Sequence, residues 1–220
     1  VPRWGGEVNR LLLATRSADK AREIKAILSG AGCAAEAVSL EDARVPWSSA
    51  EERVEEHDSF LANARAKAEY FARLTGLPTV ADDSGIEVLA LLGAPGVRSR
   101  RFAPGAASLS GKELDDANNR ELVRRLLGAD EARRRASYVC VAVLLRRPFA
   151  PPEAFTGRCW GRVLEAPRGT GGFGYDPLFW YEPLGKSFGE LTPEEKHQVS
   201  HRGEAFRQVA AALAARPLTG

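Results

Sequence analysis

The sequence has no methionine, and only three cysteines and three histidines in 220 residues. Cys33, Cys140 and Cys159 stand far apart and make no CxxC, so neither a disulfide framework nor a structural zinc site is expected. His57, His197 and His201 form no metal-ligand cluster by spacing. Lysine is scarce as well. There are 6 lysines against 25 arginines, a skew that, with the excess of alanine, reads as compositional bias. Long apolar runs are missing: Val139 to Leu145 is far short of the roughly 20 residues that span a bilayer. No membrane partner is expected. Val1 to Arg10 carries no apolar signal core, and residues 1–9 read as an extension before the first strand. A reducing cytoplasm is the expected setting. Net charge is almost absent too, since 31 basic residues face 29 acidic ones. That excludes a protein that binds by blanket attraction to a nucleic-acid backbone, and no stable nucleic-acid partner is expected.

What is present is an ordinary globular composition, 44% apolar and 27% charged. A chain of this length buries roughly 70% of its unfolded surface and needs no staples. No repeat or low-complexity linker divides it, so residues 1–220 read as a single domain. Arg10 to Thr15 has a buried-strand pattern, and Asp19 to Ser29 places Ala21, Ile24, Ile27 and Leu28 at helical spacing. Val38 to Leu40 is a candidate strand. Ser59 to Leu74 is a strong helix, stopped by Gly76. Pro78 to Ala81 is a short buried strand that ends in Asp82-Asp83-Ser84-Gly85. Ser110 to Leu127 is a helix and Ser137 to Arg146 a long apolar strand. Glu153 to Trp160 is its partner, with Gly161 to Glu165 continuing or restarting. Thr192 caps a helix with Pro193 at its first position, and Gly203 to Ala215 is the last helix. The expected fold class is α/β with a mixed sheet.

Five places offer chemistry. Thr15-Arg16-Ser17-Ala18-Asp19-Lys20 joins a strand end to a helix start, where backbone N–H groups and the helix dipole suit phosphate. It lacks the glycines of a Walker loop, and taken alone it is equally a capped helix. Asp82-Asp83-Ser84-Gly85 puts two carboxylates on opposite faces at a strand's carboxyl end, where ligands of α/β sheets gather. Magnesium takes one or two carboxylates with water and phosphate oxygens; the bland alternative is a solvated turn. The acids Glu51, Glu52, Glu55, Glu56 and Asp58 precede a helix, which its dipole alone would favour. In that helix Asn63 and Lys67 share a face at i, i+4. Gly171 to Pro177 sets Phe173 among glycines that allow close backbone approach, with Asp176 as an acceptor. Lys196 and Ser200-His201-Arg202 gather donors that suit carbonyl oxygens on a purine edge, as well as a plain basic corner.

In order, ATRSADKAREI, SFLANARAKA, ADDSGIEV, GAPGVRSRRFA, GTGGFGYDPLF and ELTPEEKHQVSHRGEAF resemble the inosine triphosphate pyrophosphatase family. These are the non-canonical purine nucleoside triphosphate pyrophosphatases. The resemblance covers roughly Arg10 to Leu213. It implies magnesium-dependent hydrolysis of ITP, dITP and XTP to the monophosphate and pyrophosphate, which cleanses the nucleotide pool. It implies an elongated two-lobed α/β fold, a central mixed sheet flanked by helices, a cleft between the lobes, and a homodimer. By the same resemblance Thr15, Arg16, Ser17, Ala18, Asp19, Lys20 and Lys67 hold the triphosphate. Glu55, with Glu56 as its rival, and Asp83 bind metal. Asp83 also accepts the proton, and Ser84 touches substrate. Phe173, Gly174, Tyr175 and Asp176 hold the base, with Phe173 stacking, and Lys196, His201 and Arg202 complete its recognition. Two departures stand out. Ser17 sits where the family has Asn, and Val-Glu-Glu-His-Asp-Ser-Phe replaces a Glu-Thr-Gly-x-Thr-Phe pattern. The alternatives are a pyrophosphatase for pyrimidine or modified nucleotides, and a nucleotide- or RNA-binding module without turnover.

Overall fold

The structure, a computed structural model, describes residues 9–218. The expected extension over residues 1–9 therefore lies outside the described residues, apart from Asn9. The described strands form one mixed seven-stranded sheet in the order β2-β1-β3-β4-β5-β6-β7, flanked by helices. Its strands are β1 (Arg10–Leu13), β2 (Glu36–Ser39), β3 (Thr79–Val88), β4 (Arg135–Leu145), β5 (Glu153–Val163), β6 (Phe179–Tyr181) and β7 (Lys186–Ser187). The helices are α1 (Ala18–Gly30), α2 (Phe60–Thr75), α3 (Gly111–Arg125), α4 (Pro193–Val199) and α5 (His201–Ala215). β1 pairs in parallel with β2 and β3, and α1 and α2 lie in the crossovers that parallel pairing requires. β6 pairs antiparallel with β5 and β7. Among the described residues no helix is long and apolar enough to cross a membrane.

The chain divides into two compact units. The first runs to Asp83 and returns with Val141–Thr156 and from Ala205 onward. The second comprises Ser84–Cys140 and Gly157–Glu204. In the first, Leu11, Leu12 and Leu13 of β1 are fully buried, as expected of a parallel strand covered on both faces. α1 buries Ile24, Ile27 and Leu28. α2 starts at its Ser59 cap, ends at Gly76 in the left-handed conformation, and buries Phe60, Ala64, Ala68 and Phe71. Asn63 and Lys67 lie within that same buried stripe. The second unit packs Ile86, Val88, Leu122, Leu126, Tyr138, Val163, Phe179 and Phe188 into one core.

The structure corrects several element boundaries. β3 does not stop at Ala81; it runs through the two aspartates to Val88 because Ile86 and Val88 continue the buried alternation. β5 is one strand through Val163. α5 begins at His201, not Gly203, so Ser200 alone separates it from α4. β6 and β7 lie where no strand was expected.

Candidate active site

Chemistry-bearing side chains gather in two clusters, one in each unit. In the first unit, β1 delivers a buried Thr15 to the start of α1. The Ser17 N–H donates to Thr15 Oγ1 (3.2 Å), and the Ser17 side chain caps α1 by accepting from the Lys20 N–H. Ser17 therefore fills the capping role that its type favours. The Arg16 guanidinium points elsewhere. It donates to both Glu51 oxygens (2.9 and 2.6 Å) and to the carbonyls of Val45 and Pro46. What Arg16 can offer a phosphate is its backbone, while its side chain holds the 45–51 loop. Lys20 reaches back to β3, with Nζ 3.1 Å from Oδ2 of the buried Asp82. Asn63 donates from Nδ2 to Asp83 Oδ2 (2.9 Å). The same carboxamide accepts from the His57 N–H (2.9 Å) and donates to the His57 carbonyl (3.2 Å). One side chain thus ties the 54–59 loop and Asp83 to α2.

That loop carries Glu55, which forms an ion pair with Lys67. Glu56 is exposed, so of the two rivals Glu55 is the one drawn into the cluster. The electrostatics follow from crowding. Burial works against the Lys67 ammonium, but Glu55, Asp82 and Asp83 outweigh it and raise its pKa. Burial also opposes the Glu55 charge, yet Lys67 and Lys20 hold Glu55 below the usual carboxylate range. Asp83 moves the other way: burial lifts it, against the pull of Lys20, Lys67 and the Asn63 hydrogen bond. A carboxylate lifted by burial is a better proton acceptor than one in water. Among the described residues no three His, Cys, Asp or Glu side chains are gathered into a ready-made metal cage. The donors at hand are hard carboxylate oxygens, Glu55 and Asp83 beside one another electrostatically. That set suits magnesium completed by phosphate oxygens and water, and it does not suit a soft-ligand metal.

In the second unit the 169–174 loop bends back on Asp176. The Phe173 N–H donates to Asp176 Oδ2 (2.8 Å). A Cβ on Gly172, which has φ +71°, would lie 2.0 Å from that same oxygen, so glycine is required there. Asp176 is buried and takes Lys196 Nζ at 2.6 Å, with the Tyr138 hydroxyl 3.4 Å from its other oxygen. Lys196 Nζ sits 4.7 Å from the Phe173 ring centroid, and the Arg202 guanidinium 5.5 Å from it. Arg202 also donates to Ser84 Oγ (2.8 Å). His201 is buried and stacks flat on Tyr138, with centroids 4.5 Å apart and planes at 5°. Burial pushes the Tyr138 hydroxyl well above its ordinary range, so it remains a neutral donor. Cationic donors are thus packed around an aromatic ring, an arrangement able to contact both face and edge of a base. The boundary between the units falls between Asp83 and Ser84, so consecutive residues of β3 end one cluster and open the other.

Sequence reasoning left Asn63 without a role and passed over Tyr138. Asn63 had a signal, its i, i+4 spacing with Lys67. Tyr138 had none, since an aromatic in an apolar strand reads as core.

A model of the Ham1 family matches residues 11–212. The dITP/XTP pyrophosphatase of Ralstonia nicotianae is 44% identical over 203 residues, covering 92% of this chain and 95% of that one. The dITP/XTP pyrophosphatase of Thermus thermophilus is 42% identical over 198 residues, covering 90% and 88%. Among solved structures, a HAM1 protein from Coxiella burnetii superposes with a TM-score of 0.79 at 33% identity, covering 94% of this chain and 98% of that one. The dITP/XTP pyrophosphatase of Mycobacterium abscessus superposes at 0.65 with 36% identity, covering 94% and 99%.

Proposed function

The chain belongs to the Ham1 family, and from that premise we propose that it hydrolyses the non-canonical purine nucleoside triphosphates ITP, dITP and XTP to the monophosphate and pyrophosphate. The observation that carries the reading is Asp83, lifted by burial and oriented by Asn63 beside two ammonium groups. Cutting the α–β anhydride needs a water, a base and relief of phosphate charge. Asp83 takes the proton of the attacking water. Thr15 to Lys20, at the start of α1, cradle the triphosphate through backbone N–H groups and hydroxyls. Lys20 and Lys67 offset the charge that moves onto the departing pyrophosphate. Magnesium held by Glu55 and Asp83 would supply further neutralisation of phosphate oxygens and acidify the water.

The second cluster serves the base. Phe173 stacks on it, and Lys196, His201 and Arg202 present donors to its edge. A 6-keto purine offers an acceptor where adenine offers a donor, and buried donors left unpaired by the wrong base give strong discrimination. We read the two units as one catalytic domain, a reading that a single family model over residues 11–212 supports. The resemblance supports a homodimer as the active form, and so few and widely spaced cysteines fit a reducing cytoplasm. Phosphorus NMR of ITP incubated with the chain and magnesium tests the bond that breaks. Inosine monophosphate and pyrophosphate in equal amounts are expected; inosine diphosphate with orthophosphate would refute the reading.

A further inference from the structure

α3 carries a polar face that packing alone does not explain. Asn118, Asn119 and Glu121 are buried on it beside Leu114 and Leu122. Buried amides cost stability unless they are hydrogen-bonded, so each needs a reason. Glu121 is engaged by Arg124 and Arg125 of the same helix. Asn118 accepts from the Ala103 N–H (2.9 Å) and donates to the Arg100 carbonyl (3.1 Å). Asn119, one residue on, turns to a different segment. It donates from Nδ2 to the Gly174 carbonyl at 2.8 Å. Asp115 lies one turn earlier on α3 and accepts the Gly174 N–H at 2.8 Å through Oδ2. An i, i+4 pair therefore grips both polar groups of one peptide residue more than fifty positions away. Oδ1 of Asn119 has no hydrogen-bond partner among the described residues, so the bond to Gly174 is what its burial serves.

The gripped residue is the one that follows Phe173. Gly174 has φ +63°, a left-handed conformation that glycine adopts without strain. On its other side the Phe173 N–H is held by Asp176, and the Tyr175 hydroxyl donates to the Ser99 carbonyl (2.7 Å). The backbone on both sides of the Phe173 ring is thus fixed by side chains from elsewhere in the second unit. We propose that Asp115 and Asn119 are positioning residues for base recognition: they clamp Gly174 and so set the plane of the Phe173 ring on which the base stacks. The proposal rests on the reading above that Phe173 stacks on the base. In that role both act through Gly174 and the Phe173 ring, and neither is assigned a part at the triphosphate end.

Steady-state kinetics on ITP, with inorganic tripolyphosphate as a competing ligand that has no base, tests it in Asp115→Ala, Asp115→Asn, Asn119→Ala and Phe173→Ala. The alanine clamp variants should raise KM for ITP about tenfold or more and leave kcat within about threefold, on the scale of one lost hydrogen bond to a fixed group. The inhibition constant of tripolyphosphate should stay within about twofold. Asp115→Asn should return KM close to the parent, because its amide oxygen still accepts the Gly174 N–H. Asp115 is only half-buried, so its variants stay informative if Asn119→Ala fails to fold. Equal losses toward ITP and tripolyphosphate, or an Asp115→Asn as poor as Asp115→Ala, overturn the proposal. Parental KM in both clamp variants alongside a raised KM in Phe173→Ala overturns the clamp alone. Parental KM in Phe173→Ala overturns the stacking reading, and the clamp with it.

Discussion

Asn63 does with one carboxamide what would otherwise take a stretch of secondary structure. It satisfies both polar groups of His57 and still donates to Asp83. Buried at 2% exposure, it makes three hydrogen bonds, each worth about 0.5–1.5 kcal/mol. Asn63→Ala should lower kcat for ITP by tenfold or more, because a misaimed base loses the benefit of orientation. Stopped-flow or coupled pyrophosphate assays read that directly. Asp83→Asn removes the proposed base. It should lower kcat by about 10²–10⁴-fold, the usual worth of a positioned base, while circular dichroism and the melting curve stay near the parent's. A variant that kept full turnover would move the proton acceptor elsewhere, with Asp82 the nearest candidate. Much of this was legible. The residue types Asp83, Lys20 and Lys67 and their order pointed to phosphate chemistry. Their pairing did not, because Lys20 meets Asp82 and Lys67 meets Glu55 only once β3, α1 and the 54–59 loop converge. Arg16 shows the reverse limit, since nothing in its position on the chain tells that its guanidinium leaves the phosphate loop for Glu51.

Among elements, α3 is the most informative. Its last turn is fastened by Glu121, which accepts from Arg124 and Arg125. Hydrogen bonds from Arg124 first, then Arg125, hold Glu121 down from 4.5 to about 2. A depressed carboxylate contributes stability above its unfolded pKa and loses it as pH falls through the folded value. Glu121→Gln should therefore melt below the parent at neutral pH, with the gap closing between about pH 4.5 and pH 2. Thermal melts across that range check it; a gap independent of pH would assign the loss to packing. Helices were read well because their apolar spacing is long and their caps are explicit: Ser59 and Gly76 bound α2, and Thr192 and Pro193 open α4. β6 and β7 were not, being three and two residues long, too short for any period to show. β3 was cut short because adjacent aspartates look like a turn, when in fact one faces inward to Lys20 and the other to Asn63.

At the scale of the molecule, the proposed roles follow the division of the chain. The carboxylates, lysines and capped helix start of the first unit suit a triphosphate, and the aromatic and buried donors of the second suit a base. The alternation of strands and helices made an α/β class with a mixed sheet legible, and the order of six short blocks made the family legible. What the chain order hid was that the units are interleaved, the backbone passing between them at 83/84, 140/141, 156/157 and 204/205. Three of those passages lie within β3, β4 and β5, so no linker composition marks them. The near-balance of charge likewise concealed opposite charges set against each other at close range. Selective hydrolysis by base identity is the central claim, and pyrophosphate release from ITP, dITP, XTP, dATP, dGTP and dTTP under one magnesium concentration tests it most directly. The account predicts kcat/KM for ITP, dITP and XTP at least about 10²-fold above that for dATP and dTTP, the scale set by buried donors left without a partner. Equal rates on all six, or no release from ITP, would contradict it.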